Sequence, residues 1–242
     1  MPNLDDIIWA VITSRDPTTL REALSGGQAY IDVISNDTFL EILRYHPEDL
    51  DVNEIRFVLI EFLNKWGCRL RNYDNLTASN LKACIVSVHH ELLPIQENTI
   101  IDFNFETTIN KEKIINIFNK FWSFTTGSKI TKNFGSTATS KTLHIINPNL
   151  FTMWDSGIRY HYGFFMESGN DYLQFLVEIK RTAENLVEEC NLRFEHNNLA
   201  LWLSEKLNIN PPHSLTKFID EFNWLAYKRG LTRPPDWVCP FG

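Results

Sequence analysis

The sequence predicts an all-α protein in two lobes, and three observations carry that expectation. Apolar residues recur at helical spacing through most of the chain, helix start and stop signals fall at the ends of those runs, and almost no segment alternates with a period of two. Asp16-Pro17 opens a helix. Ile55, Leu59, Phe62 and Trp66 form one apolar stripe that Gly67 ends, and Leu81, Ile85, Val88 and Leu92 form the next, preceded by Thr77. Asn98 to Phe105 is the main period-two candidate, and it suits an extended connector between lobes better than a sheet strand. A short helix from Ala138 to Asn147 ends before Pro148, and Asn149 to Trp154 crosses back. Asp155 then stands where an N-cap belongs, ahead of Ser156-Gly157-Ile158-Arg159-Tyr160. Helices after Tyr172 fold back across both lobes, Pro211-Pro212 separates two of them, and Leu215, Phe218, Ile219, Phe222 and Leu225 mark the last, which Gly230 closes. The Pro-rich end, RPPDWVCPFG, reads as irregular. The lobes divide at residue 100: an N-terminal helical lobe, 1–100, and a second lobe, 101–242, whose C-terminal helices pack back on both.

Length and composition bound the class of protein. With 242 residues, 43% of them hydrophobic, the chain can bury a sizeable core. No apolar run approaches the roughly 18 to 20 residues of a membrane span, and Met1 to Leu20 carries Asp5, Asp6, Arg15 and Asp16, unlike a signal peptide. The expected setting is the cytoplasm, with no membrane partner and a monomeric chain. Cys68, Cys84, Cys190 and Cys239 lie far apart without CxxC spacing, which argues against zinc and against a disulfide scaffold. His89-His90 lacks a convincing set of further metal ligands.

Charge is distributed unevenly. Between Lys113 and Met166 stand Lys113, Lys120, Lys129, Lys132, Lys141 and Arg159 against one acidic residue, Asp155, a local charge of +5 in a chain of −7. Such a strip suits a polyanion, because phosphate affinity follows the local field rather than the total charge. The small residues Gly135, Ser136, Thr137, Ala138, Thr139 and Ser140 ahead of Lys141 read as a tight hairpin feeding a helix whose free N–H groups can hold a phosphate oxygen. The Asp155 carboxylate faces the positive end of the following helix, which favours its ionised form.

This order of hairpin, lysine-bearing helix, apolar crossing and N-capping aspartate resembles the helix-hairpin-helix DNA glycosylase superfamily, the clan of endonuclease III and the 8-oxoguanine glycosylases. The resemblance implies a two-lobed helical glycosylase-like fold with the active cleft between the lobes. Gly135 to Thr137 match the hairpin turn that grips a DNA phosphate, Lys141 the helix lysine and Asp155 the catalytic aspartate. One glycine stands where the usual hairpin has two. Lys141 also precedes Asp155 by 14 residues, shorter than in better-known members by about one helical turn. The cysteine spacing excludes the iron–sulfur loop of some members, and neither a metal nor an organic cofactor is implied.

The implied activity is release of a base from a flipped-out nucleotide in double-stranded DNA, leaving an abasic site. Asp155 would stabilise the positive charge that develops on the sugar. Lys141 is either a nucleophile that forms a Schiff base or a phosphate-binding lysine, so lyase activity is open. Lys129, Lys132 and Arg159, with Gly135, Ser136, Thr137, Thr139 and Ser140, are candidates for backbone contacts. Trp122, Phe124, Trp154 and Tyr160 are candidates for stacking on the extruded base. The base is an oxidised purine or a modified base of phage DNA, the latter making this an antiphage enzyme. The alternatives are a non-catalytic helix-hairpin-helix DNA-binding module and an all-helical interaction protein.

Overall fold

Helix formation follows the caps and apolar stripes of the sequence along nearly the whole chain. The computed structural model describes residues 1–16, 21–70, 74–126 and 132–241, without the side chains of 21–26, 125, 126 and 132. The fold is all-α. The N-terminal half holds α1 (Leu4–Ser14), α2 (Arg21–Ile34), α3 (Asp37–Tyr45), a helical run of α4 (Val52–Glu54), a π-helical stretch (Ile55–Ile60) and α5 (Glu61–Lys65), and then α6 (Asn75–Leu92). The second half holds α7 (Thr108–Ser123), α8 (Ser136–Ile146), α9 (Ser156–His161), α10 (Gly169–Phe194), α11 (Leu199–Lys206) and α12 (Leu215–Asn223), which continues as a π-helical turn through Lys228. Among the described residues the only strands, β1 (Thr125–Thr126) and β2 (Lys132–Asn133), pair antiparallel between α7 and α8. No described helix is long and apolar enough to cross a membrane.

Side-chain caps start these helices. Asn3, Asn36, Asp74, Thr107, Ser168, Asn198 and Ser214 each accept a backbone N–H of the first turn. The start signal near Thr77 is in fact Asp74, whose Oδ1 takes both the N–H and the hydroxyl of Thr77. The expected opening at Asp16-Pro17 falls at the edge of the described residues. Gly67 and Gly230 close their helices at φ +78° and +69°. Asn98 to Phe105 is a series of turns rather than a strand. Gly169 is required by packing: a Cβ there would stand 2.7 Å from the Ile115 carbonyl, so glycine lets α10 close on α7.

One continuous apolar core joins the two halves of the chain. At its centre Trp154 is fully buried among Phe118, Tyr172 and Phe175, with ring centroids 5.4 to 6.1 Å away. The helix α1 packs against α10 and α12, joined there by Arg15–Glu221, Arg193–Asp5 and the Leu4 N–H to Glu189.

The helix α8 is buried along almost its entire length, from Ser136 to Ile146, with Thr137 partly covered. Its C-terminal carbonyls, which have no partner within the helix, are met by other side chains: Arg44 Nε and Gln96 Nε2 donate to the Ile146 oxygen at 2.9 and 2.7 Å. The loop that follows is fixed by Asn147, which donates to the carbonyls of Ile95 and Asn98 and accepts from the N–H groups of Asn149 and Leu150. The Thr216 hydroxyl donates to the Pro148 carbonyl, and Tyr172 OH to that of Thr152 at 2.9 Å. Ser140 completes the attachment: its Oγ accepts the Trp154 N–H and donates to the Trp154 carbonyl, both at 3.1 Å. The backbone immediately before Asp155 is thereby clasped to the helix that carries Lys141.

Candidate functional site

Asp155 caps α9 as its position predicts. Its Oδ1 accepts the N–H groups of Gly157 and Ile158 at 2.9 and 3.2 Å, and its Oδ2 lies 3.5 Å from Lys228 Nζ at the end of the α12 run. Its side chain keeps 16% exposure, so the carboxylate is held in place and still reachable. Gly157 maintains the room. A Cβ at that position would meet Lys228 Cδ at 3.1 Å and the Tyr227 carbonyl at 3.3 Å.

Lys141 points from α8 toward the turn after α5. Its ammonium donates to the Trp66 carbonyl and lies 5.6 Å from the Trp66 ring centroid. A second buried lysine, Lys217 on α12, lies 5.1 Å from that ring and 5.3 Å from the ring of Tyr30. Trp66 is partly buried, flanked by Phe62 at 5.4 Å and Tyr30 at 5.9 Å. One indole therefore stands against two ammonium groups from two different helices.

The helix α12 carries the remaining charges inward. Lys217 Nζ lies 3.1 Å from Glu221 Oε1 and 3.6 Å from Asp220 Oδ2. Glu221 also meets Arg15 at 2.5 Å, the Ser14 hydroxyl at 3.1 Å and His213 Nδ1 at 3.4 Å. Burial works against its charge, yet Lys217, Arg15 and His213 hold it well below the ordinary carboxylate range. Asp220 is different. It is 5% exposed, and among the described residues its one ion-pair contact is Lys217 at 3.6 Å. Burial raises its pKa from 3.8 to about 6, with Glu221 and Asp155 adding to the rise and Lys217 and Lys141 opposing it. Lys141 and Asp155 act in opposite senses on the Cys68 thiol too, which burial raises. Lys141, Asp155, Asp220 and Cys68 thus share one electrostatic neighbourhood where the α5 turn, α8, α9 and α12 converge. His144 on α8 has a structural role. Its Nδ1–H donates to the Phe151 carbonyl at 2.7 Å and its Nε2 accepts from Tyr30 OH at 3.1 Å, while burial lowers its pKa to about 3.

Several expected residues stand elsewhere. The hairpin lies at β1–β2, upstream of Gly135; Gly135 is the N-cap of α8, at φ +83° and without a side-chain cap bond. Ser136, Thr139 and Ser140 are buried, and the hydroxyls of the last two are used internally: Thr139 donates to the Gly135 carbonyl at 2.8 Å and Ser140 clasps Trp154. They do not line a DNA face. Arg159 is no surface cation either. It is 4% exposed and paired with Glu167 at 3.1 Å, with Nε and Nη1 buried without hydrogen-bond partners. Trp154 belongs to the core rather than to a base pocket, because apolar burial of its indole at the centre of the aromatic cluster leaves no accessible face. Phe124 packs on Phe134 at 4.4 Å and Trp122 is half-buried against the core, whereas Tyr160 is 54% exposed beside Phe165. Lys129 and the Lys132 side chain lie outside the described residues.

Trp66, Lys217, Asp220, Glu221 and Lys228 were not legible as site residues from the sequence. The available signal was the crowding of Lys217, Asp220 and Glu221 into a nine-residue helix whose apolar stripe suggested a solvated opposite face; α12 is instead buried on every side after Leu215. Among the described residues the one grouping of potential metal ligands is exposed His46, Glu48 and Asp49, with ligand atoms within 4.8 Å of one another; it shares no residue with this cluster. No protein family, curated protein or solved structure matches the chain.

Proposed function

We propose that this chain is a DNA glycosylase that extrudes one damaged or modified base and hydrolyses its N-glycosidic bond, leaving an abasic site. The observation that carries the reading is Asp155: a carboxylate fixed by two backbone N–H groups, part exposed and 3.5 Å from Lys228 Nζ, on a segment clasped to the helix that carries Lys141. Breaking the bond between sugar C1′ and the base leaves positive charge on the sugar, and a carboxylate already oriented there stabilises it without reorganising. Trp66 supplies an aromatic surface for the extruded base in place of Trp154.

Lys141 supports hydrolysis rather than covalent attack. Its Nζ already donates to the Trp66 carbonyl and lies over the Trp66 ring, which holds the side chain against the α5 turn rather than free to attack. Water then adds to C1′ as the base departs. The Ser140 clasp ties the backbone before Asp155 to the helix that carries Lys141, which supports a joint role for the two residues despite the shortened spacing of 14 residues.

The test is incubation of the protein with duplexes that each hold one altered base, among them 8-oxoguanine, hypoxanthine, uracil and 5-hydroxymethylcytosine, followed by alkali to cut at abasic sites. Release of a base by the wild type and at least a 100-fold slower release by Asp155→Asn is expected. Asparagine is itself a good N-cap, so this variant should fold and bind DNA. Duplex binding without release of any base would favour a non-catalytic DNA-binding module.

A further inference from the structure

Apolar side chains gather in water at one place along the chain from Asp155. Tyr160, near the end of α9, and Phe165 and Met166 in the segment that follows it are 54%, 71% and 68% exposed. A single exposed apolar residue is ordinary, but three within seven positions form a patch, and such patches mark contact surfaces. The tip that carries them is fixed on both sides. Gly163 turns the chain back at φ +79°, the Phe164 N–H donates to the Arg159 carbonyl at 3.0 Å, and the Phe164 ring stacks on buried Trp154 with centroids 6.2 Å apart. The Met166 N–H donates to Asp171 Oδ2 at 3.0 Å. Buried Arg159 braces the tip from within: its Nη2 lies 3.1 Å from Glu167 Oε1, and its guanidinium carbon 5.0 Å from the Tyr160 ring centroid. A backbone so fixed, with its large apolar side chains left in water, has no packing rationale in the free protein.

We propose that Phe165 and Met166 enter the base stack of a DNA duplex beside the nucleotide being extruded. The inference rests on the glycosylase reading above and names the surface that fills the gap. Three observations select DNA. The tip is continuous with Asp155: the capping carboxylate and Tyr160 stand near opposite ends of α9, about 7.5 Å apart along its axis, which is about two steps of 3.4 Å in a DNA strand. The surroundings are basic. Lys228 lies 3.5 Å from Asp155, exposed Arg229 follows it, the neighbouring Tyr227 stacks on exposed His161 at 3.4 Å, and from Lys113 to Met166 Asp155 is the sole acidic residue. Beyond the tip, Glu167 is occupied by Arg159 and Asp171 by the Met166 N–H. The patch is also small. Three side chains fall well short of the roughly 800 Å² per partner of a stable protein interface, whereas a gap in a base stack takes one or two. Extruding a base uncovers the faces of its neighbours, and apolar side chains placed between them offset that cost. Phe165 supplies a flat ring, and Met166 an unbranched, polarizable chain that conforms to an irregular gap. Such contact is indifferent to sequence, because every base has a π-face.

The test compares two duplexes of one sequence, one fully paired and one with a single tetrahydrofuran residue, which leaves a gap in the stack and has no glycosidic bond to break. Dissociation constants of the full-length protein are measured by fluorescence anisotropy over a range of salt. Wild type should bind the tetrahydrofuran duplex more tightly than the paired one. The double substitution Phe165→Ala, Met166→Ala should weaken binding of the tetrahydrofuran duplex roughly 5-fold to 100-fold, with paired-duplex binding and the salt dependence nearly unchanged, since stacking rather than counterion release is lost. Retained binding of the paired duplex shows that the variant is folded, and Phe165→Trp should keep the preference for the gap. Equal binding of the tetrahydrofuran duplex by wild type and the double variant, or equal losses on both duplexes, overturns the proposal. So does a variant whose one defect is lost binding to vesicles of phosphatidylserine and phosphatidylcholine, which makes the tip a membrane contact. Wild type that binds neither duplex overturns both this proposal and the glycosylase reading. Base release by Asp155→Asn at the wild-type rate overturns the glycosylase assignment alone, whatever the tip does.

Discussion

Replacing Asp220 by asparagine should stabilise the protein at pH 8, although it removes a buried charge that has a lysine beside it. The magnitude follows from the acidity of the group. In the unfolded chain Asp220 ionises near 3.8, and in the folded protein near 6. The folded state therefore holds the proton more tightly, so stability from this group is full below about pH 3.8 and is lost as pH rises through about 6. Above that, at about 1.4 kcal/mol per pH unit, ionised Asp220 costs the fold about 3 kcal/mol. Asparagine has nearly the same shape and never ionises, so it relieves this cost. The expected gain is about 3 kcal/mol at pH 8, or about 6–12 °C in Tm for a chain of this size, shrinking to below about 1 kcal/mol at pH 4. Denaturant unfolding of both proteins at pH 8, 6 and 4 measures it. An asparagine variant less stable than wild type at pH 8, or a gain that does not shrink with acid, would refute the reasoning, since it would mean that Lys217 and Lys141 repay the burial of Asp220 in full.

Ser140→Ala should destabilise by about 1–3 kcal/mol, because it leaves the buried Trp154 N–H and carbonyl without the clasp; equal unfolding midpoints for variant and wild type would show the clasp to be dispensable. Borohydride should trap no covalent adduct between the wild type and an intact nucleotide, in keeping with hydrolysis; efficient trapping that Lys141→Gln abolishes would make Lys141 the nucleophile and the enzyme a lyase as well. His144 should draw stability in the opposite sense to Asp220. Its folded pKa of about 3 lies below the unfolded 6.5, so stability is lost as pH falls from 6.5 toward 3, about 2 kcal/mol between pH 7.5 and 5; an NMR titration in which the His144 ring protonates above pH 5 would contradict this.

The helices were largely legible in the sequence because their signals are local. The stripes Leu81, Ile85, Val88, Leu92 and Phe218, Ile219, Phe222 are core residues, and the caps at Asp155, Gly67 and Gly230 stand where their chemistry puts them. What failed were inferences about which side of an element meets solvent. The Ser and Thr residues of α8 suggested a surface for phosphates, but short hydroxyls can satisfy themselves against the preceding turn, as Thr139 does, or against a neighbouring chain segment, as Ser140 does. Arg159 suggested a surface cation, and a glutamate eight residues on covers it. The α12 cluster stayed hidden for the complementary reason: its partners Arg15, Trp66 and Lys141 lie far away in sequence, and no local spacing reports such a meeting.

The fastening of Glu221 to Arg15 ties the α12 run, and with it the lysine beside Asp155, to the first helix. The α12 run is continuous: Lys217 stands near its start, Asp220 and Glu221 near its middle with Glu221 fastened to α1, and Lys228 at the far end lies 3.5 Å from Asp155. A small tilt at that fastening would move Lys217, Asp220 and Lys228 together, because all stand on one helical run. Substitutions in α1, more than 130 residues before Asp155 and touching neither Asp155 nor Lys141, thus act on the same run as changes made at the centre of the site.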